Sequence, residues 1–176
     1  MPSDETWQVL RAQTGDREAL NDLLAGIQHG LYRFILSVVS DRALAEDVLQ
    51  EVFLRIYRKL TWLDDPAAFR AWAYRIASRE AFRLLKRERR WSARQSDEAL
   101  LESLPAAAED PPPLDFARLV DNASPASRAV LTLHYLEGMS LDEVAAVLGI
   151  ALGTVKSRLA YGLSALRRAA KENGLG

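Results

Sequence analysis

Ser140 followed three positions later by Glu143, then an apolar run that stops at Gly149, constrains this chain more tightly than any other stretch. A serine ahead of a helix accepts a hydrogen bond from the backbone N–H three residues on. A glutamate at that third position reaches back to the serine's own N–H, so the pair fixes where the helix starts. Glycine tolerates the left-handed conformation that ends it. With Ala145 at the crossing, Gly149 at the turn and Val155 as an apolar plug, the pattern predicts two short helices meeting closely, a helix-turn-helix. The second helix carries Thr154, Lys156, Ser157, Arg158 and Tyr161 near its N-terminal end, from which such a helix presents side chains to the DNA major groove. A surface helix pair with solvated charges carries the same motif, so the motif alone does not decide the matter.

Elsewhere in the 176 residues apolar positions recur near every 3.6 residues without sustained alternation, which predicts an all-α chain. Helices are expected at about 4–13, 16–39, 41–61, 66–91, 115–122, 124–137, 140–148 and 152–172, with Asp16, Asp41, Ser124 and Ser140 as N-caps. Pro66 and Pro125 fall just inside their helices, where a missing N–H costs nothing. Between Trp91 and Ala123 serine, proline and acidic residues take over, with Pro111-Pro112-Pro113 among them. The expected organisation is two small helical domains, 1–91 and 124–176, joined by an acidic, Pro-containing linker at 92–123. About 30 such residues reach at most ~100 Å and average ~30 Å when flexible, so two modules on this tether can sit together or engage DNA sites about 70 Å apart.

A formal net charge of −1 argues against nucleic acid only until its distribution is followed. From Arg75 to Arg94 there are eight basic and two acidic residues, and from Gln95 to Ala123 seven acidic and one basic. Beyond Ile150 there are five basic and one acidic, so two basic surfaces flank an acidic connector. The chain has no cysteine and two histidines, which excludes a thiolate site, and neither a metal nor another cofactor is expected. No apolar run approaches the ~20 residues of a membrane span, and no basic segment followed by an apolar core opens the chain. Membrane insertion is not expected, and the cytoplasm is the expected compartment.

Two predicted helices carry further surfaces. In the 41–61 helix, Val48, Leu49, Val52, Phe53, Ile56 and Leu60 share a core-facing arc, while Asp47, Gln50, Glu51 and Arg58 lie opposite with Leu54 among them. An apolar anchor inside a charged surround suits a basic partner helix, although a lone exposed leucine is ordinarily without meaning. In the 66–91 helix, Arg75, Arg79, Arg83, Lys86, Arg89 and Arg90 fall within roughly 120° and form a basic stripe. Trp72 and Phe82 project into the same arc, and cations interleaved with aromatics suit opened DNA, since arginines hold phosphates and flat rings support unstacked bases. A solvated charge row with Trp72 partly in the core is the plainer reading.

Two sets of segments together resemble the extracytoplasmic-function group of bacterial RNA polymerase sigma factors. Leu31-Tyr32-Arg33-Phe34, the run Ala45-Glu46-Asp47-Val48-Leu49-Gln50-Glu51-Val52-Phe53-Leu54-Arg55-Ile56-Tyr57 and Phe69-Arg70-Ala71-Trp72-Ala73-Tyr74-Arg75-Ile76-Ala77 resemble the family's sigma-2 domain. Leu133-His134-Tyr135-Leu136-Glu137-Gly138-Met139-Ser140, continuing through Gly153-Thr154-Val155-Lys156-Ser157-Arg158-Leu159, resembles its sigma-4 domain. The resemblance implies a dissociable polymerase subunit that binds core RNA polymerase, recognises promoter DNA, helps melt it and has no catalysis of its own. It implies a sigma-2-like helical bundle and a sigma-4-like helix-turn-helix, with an anti-sigma factor as a further partner. Asp47, Gln50, Glu51 and Leu54 match the segment that docks on the clamp of the largest catalytic subunit. Trp72, Arg75, Arg79, Arg83, Lys86 and Arg90 match the segment that engages the minus-10 element, and Thr154, Lys156, Ser157, Arg158 and Tyr161 the segment that reads minus-35.

Departures from the family pattern are specific. Arg79 and Arg83 stand where asparagine and aspartate are usual, which implies an altered minus-10 base preference. Tyr161 and Leu163 stand where arginines are usual, which implies fewer phosphate contacts at minus-35. A sigma mimic that occupies an anti-sigma factor without starting transcription is the alternative, but it would need neither an intact helix-turn-helix nor an unbroken docking segment. A dimeric repressor leaves the basic stripe unexplained. An enzyme lacks support in any phosphate-cradling loop, thiol or acid-base cluster, and His134 reads as a packing residue.

Overall fold

The computed structural model describes residues 3–96 and 120–172. The helix expected at 115–122 and the acidic connector fall largely outside the described residues. Ser3 accepts from the Thr6 N–H and starts α1, Asp4–Gln13. Asp16 does the same for α2, Arg17–Val39, through the Ala19 N–H, and Asp41 for α3, Arg42–Lys59, through Leu44. A 3-10 turn, Leu60–Trp62, closes α3, and a second, Pro66–Ala68, capped by Asp65, opens α4, Phe69–Ser96, which continues past Trp91. Beyond the connector, Ser124 caps α5, Pro125–Leu131.

The helix expected at 124–137 is interrupted. After α5 the chain widens into a π turn, Thr132–Leu136, where the Glu137 N–H donates to the Thr132 carbonyl. Gly138, at φ 69°, then reverses the chain, and the Met139 N–H returns to the Leu133 carbonyl. Two helices follow, α6, Leu141–Leu148, and α7, Leu152–Glu172, bent by 106° at their junction. Among the described residues there is no strand, and no single helix is long and apolar enough to cross a membrane.

Helices α1 to α4 close around Val9, Leu31, Phe34, Ile35, Val52, Ile56 and Phe69, all fully buried. A smaller cluster of Val120, Ala123, Leu131 and Ala165 holds α5 against α7. The larger core does not stop at the first module. It takes in Val130, Leu133, Val144, Val147 and Val155, because α5 lies on α2 and α6 lies on α4. The two modules are therefore docked through apolar contact, and that docking positions every surface described below.

Two helical glycines separate propensity from packing. A Cβ at Gly26 meets nothing within 4 Å, whereas one at Gly162 would lie 2.8 Å from Leu131 Cδ1 and 3.1 Å from its Cγ, at the crossing of α5 and α7. Both substitutions to alanine gain about 0.5–1 kcal/mol of helix propensity. Gly26→Ala is expected to raise stability by about that amount in urea unfolding. Gly162→Ala is expected to lower it, because overpacking typically costs about 1–3 kcal/mol.

Candidate functional site

The helix-turn-helix is built as its residues dictate. Ser140 Oγ accepts from the Glu143 N–H at 3.2 Å while the Ser140 N–H donates to Glu143 Oε2 at 2.7 Å. Gly149 closes α6 at φ 65°, and Val155 is fully buried beneath the turn. His134 Nδ1 donates to the Met139 carbonyl at 2.7 Å and braces the approach to Ser140. Thr154, Lys156 and Ser157 are exposed on the first turns of α7, Arg158 is half-buried, and Tyr161 is 74% exposed. Ser157 Oγ donates to the Gly153 carbonyl at 3.0 Å, so its hydroxyl proton is engaged by its own helix.

On α4 the cations Arg75, Arg79, Arg83, Lys86 and Arg90 are all exposed. They are not equally free. Arg83 is paired with Glu80, a nearly buried carboxylate that also receives Arg55 Nε at 3.0 Å. Arg75 Nη2 donates to the Ala146 carbonyl of the other module at 2.6 Å. Trp72 is half-buried and packs against Phe69 with ring centroids 6.2 Å apart, so the core holds much of its surface. Phe82 is also half-buried and floors a groove of about 640 Å³ with Leu85, Pro125 and Ala126, beside Lys86, Arg89 and Arg90.

On α3, Asp47, Gln50 and Leu54 are exposed and Glu51 partly so, Leu54 at 47%. The four form a ridge between two depressions. Gln50 and Leu54 border one of about 540 Å³ with Leu20, Leu24, Phe53 and Tyr57. Asp47 and Glu51 border another, of about 530 Å³, with Glu80, Arg83 and Arg87. Arg55 Nε joins Glu51 at 2.9 Å, so this carboxylate is already partnered. Tyr57, 63% exposed, is absent from the residues singled out in the sequence, although its place three residues after Leu54 puts it on the same face.

The largest surprise lies between the modules. The Glu137 side chain is 4% exposed, and its oxygens accept from Tyr74 Oη at 2.5 Å, Arg33 Nη2 at 2.6 Å and Arg70 Nη2 at 3.2 Å, while Arg70 also donates to the Glu137 carbonyl at 2.8 Å. Burial alone would raise the Glu137 pKa, but the bonds from Tyr74 and Arg33 and the charges of Arg33 and Arg70 outweigh it and hold the carboxyl below its ordinary value of 4.5. Burial, and then the Glu137 bond, push the Tyr74 phenol above its ordinary value. Arg128 donates to the Val38 carbonyl at 3.3 Å in the last turn of α2. These partners are 63 to 104 positions apart in sequence, and no local pattern announces them.

Family models match two parts of the chain, Sigma-70 region 2 at residues 23–91 and Sigma-70, region 4 at residues 116–166. The chain is 32% identical over 181 residues to the ECF RNA polymerase sigma factor SigE of Mycolicibacterium smegmatis, covering 94% of this chain and 68% of that one. It is 31% identical over 175 residues to the ECF RNA polymerase sigma-E factor of Escherichia coli strain K12, covering 90% of this chain and 91% of that one. The solved structure of the sigma factor RpoE with the anti-sigma factor NepR from Bartonella quintana superposes at a TM-score of 0.68, with 25% identity, over 86% of this chain and 96% of that one. CnrH in complex with the cytosolic domain of CnrY shares the fold, at a TM-score of 0.71 and 24% identity over 97% of this chain and 99% of that one. The chain belongs to the ECF sigma factors of the sigma-70 family. Its function is that of a sigma factor, promoter-directed initiation of transcription with RNA polymerase.

Because the Glu137 carboxyl is held below 4.5, the stability it contributes is complete above that value and is lost as pH falls through the lowered one. The unfolding free energy of wild type minus that of Glu137→Gln is expected to be about 1–3 kcal/mol at pH 7. It is expected to stay level down to about pH 5 and to shrink below that, as read by denaturant titrations of both proteins.

Proposed function

We propose that the α3 ridge docks on core polymerase, the α4 row engages the minus-10 element and the exposed face of α7 reads minus-35. The supporting observation is that one chain carries all three surfaces in this order, each exposed and on a rigid helix. Leu54 and Tyr57 stand over an apolar groove, and Asp47 adds charge beside it, which suits a basic amphipathic helix such as a clamp helix. Residues 1–91, 92–123 and 124–176 act as docking and melting domain, linker and minus-35 domain. The protein works in the cytoplasm as a non-enzymatic factor under control of an anti-sigma factor, as the Bartonella relative's complex with NepR suggests.

Run-off transcription with purified core polymerase on a pool of upstream sequences tests this reading. Transcripts that depend on the added chain and share an upstream motif support it. Anti-sigma binding without transcripts would assign the mimic role instead.

Asp47→Lys with Glu51→Lys is expected to abolish co-purification with core polymerase while leaving the helical circular dichroism intact, since neither side chain is in the core. Retention at wild-type yield in low and high salt would remove the ridge as the docking surface.

Lys156 and Tyr161 are expected to differ in kind. An ammonium serves phosphates and guanine edges, whereas a phenol offers apolar contact to a thymine methyl and one hydroxyl. Lys156→Ala is expected to weaken holoenzyme binding across sequences and reduce the salt slope by about one unit. Tyr161→Ala is expected to cost roughly 1–3 kcal/mol on the preferred site and relax preference at one position. Affinities for singly substituted minus-35 duplexes at several salt concentrations check both.

A further inference from the structure

Glu137 sits in a notch that belongs wholly to the first module. Gly30 and Arg33 come from α2, Arg70 and Tyr74 from α4, and they converge on one carboxylate that the second module supplies. Gly30 has a reason to be glycine here. A Cβ on it would overlap the Tyr74 hydroxyl and lie 2.8 Å from Glu137 Oε2. The cavity beside the carboxylate measures about 300 Å³, and Glu5 and His29 also line it. Two guanidinium groups and a phenol O–H aimed at one point are the chemistry that binds an oxyanion. When the second module departs, that donor set is left without its anion.

The basic row lies on the same helix as Arg70 and Tyr74 of the notch. Arg75, the residue after Tyr74, is the first cation of that row, and in the docked chain it is tied to the Ala146 carbonyl of α6. The docking that fills the notch thus also ties the head of the α4 row, although Arg75 stays exposed. Arg79, Arg83, Lys86 and Arg90 remain exposed and extend from it along the helix.

We propose that the notch of Gly30, Arg33, Arg70 and Tyr74 is an anion-binding site, occupied by Glu137 of the same chain while the modules are docked and by a phosphodiester of opened promoter DNA once they part. This rests on the sigma-factor reading of the α4 row. It makes Glu137 an internal competitor of DNA. The free chain is held closed by its own carboxylate, and the affinity it shows for single-stranded DNA is its intrinsic affinity scaled by the open fraction.

The test uses the full chain and a 12-nucleotide single strand carrying a fluorophore, with anisotropy read across salt concentrations and the radius of gyration from small-angle scattering. Glu137→Gln is expected to expand the chain and raise affinity about tenfold, the gain expected if the closed form outweighs the open one by about ten to one. Gly30→Ala perturbs the contact from the other module and is expected to expand the chain as well, which guards against a local fault at the Glu137 turn, but without the gain in affinity, because its Cβ would overlap the Tyr74 hydroxyl and take the anion's place. Adding Arg70→Gln to Glu137→Gln is expected to lower the salt slope by about one unit, because one phosphate contact is lost. The proposal is overturned if neither single variant expands the chain, if expansion of the Glu137→Gln chain leaves its affinity unchanged, or if Arg70→Gln leaves the slope where it was. It is also overturned if the opened variants prefer a glutamate-rich peptide to the oligonucleotide, which would assign the notch to an acidic protein. Run-off transcription by the wild-type chain with core polymerase reports separately on the sigma-factor reading, so the two can fail independently.

Discussion

A single carboxylate, Glu137, is the polar centre of the contact between the two halves of this molecule, set within their shared apolar core. Removing a charge from water costs several kcal/mol, and that cost is offset only when good partners meet it together. Tyr74, Arg33 and Arg70 do so, and all three come from the opposite module. A half-made version of this contact would leave the carboxylate buried with too few donors, so docking is favoured either complete or absent. Two further contacts share one logic. Arg75 donates to Ala146 near the C-terminus of α6, and Arg128 donates to Val38 near the C-terminus of α2. Each module thus lends a cation to the helix end of the other, where unsatisfied carbonyls and the helix dipole favour positive charge.

The docked arrangement sorts the surfaces. The α3 ridge and the exposed face of α7 stay open to solvent, while Arg75 at the head of the α4 row, itself exposed, is tied to the other module. If the proposed docking role of α3 holds, a chain in this state meets core polymerase through α3 before Arg75 is released from the other module. Charge on the ridge is itself shared inward. Arg55 links Glu51 to Glu80, and Glu80 holds Arg83, so the ridge and the basic row are joined by a continuous chain of ion pairs. A partner that competes for Glu51 changes what Arg55 offers to Glu80, and through it how tightly Arg83 is held.

Much of this was legible in the sequence because much of it is local. The caps Asp16, Asp41, Ser124 and Ser140, the αL glycine at 149 and the buried Val155 each follow from a few neighbouring residues, and each stands where the pattern puts it. The exposed stripe on α4 and the exposed Leu54 follow from helical spacing alone. What the sequence concealed is non-local. Glu137 reads as the last residue before a turn glycine, Gly30 as a weak point in a helix, and Arg33 and Arg70 as surface charges. Only the fold brings them to Glu137, from 67 to 107 positions away. The π turn at Thr132–Leu136 was hidden for a related reason, since its residues carry ordinary helical periodicity and the interruption depends on how Gly138 redirects the chain.

The chain contains no cysteine, so two introduced thiols can carry spin labels without competition. Labels at Arg58→Cys and Ser164→Cys, both exposed and one on each module, report the distance between the modules by pulsed electron resonance. The docked structure predicts a single narrow distance in the free chain that gives way to longer distances in the promoter-bound holoenzyme. A broad distribution in the free chain, or the same narrow distance in both states, would contradict the claim that Glu137 closes the molecule and that promoter engagement opens it.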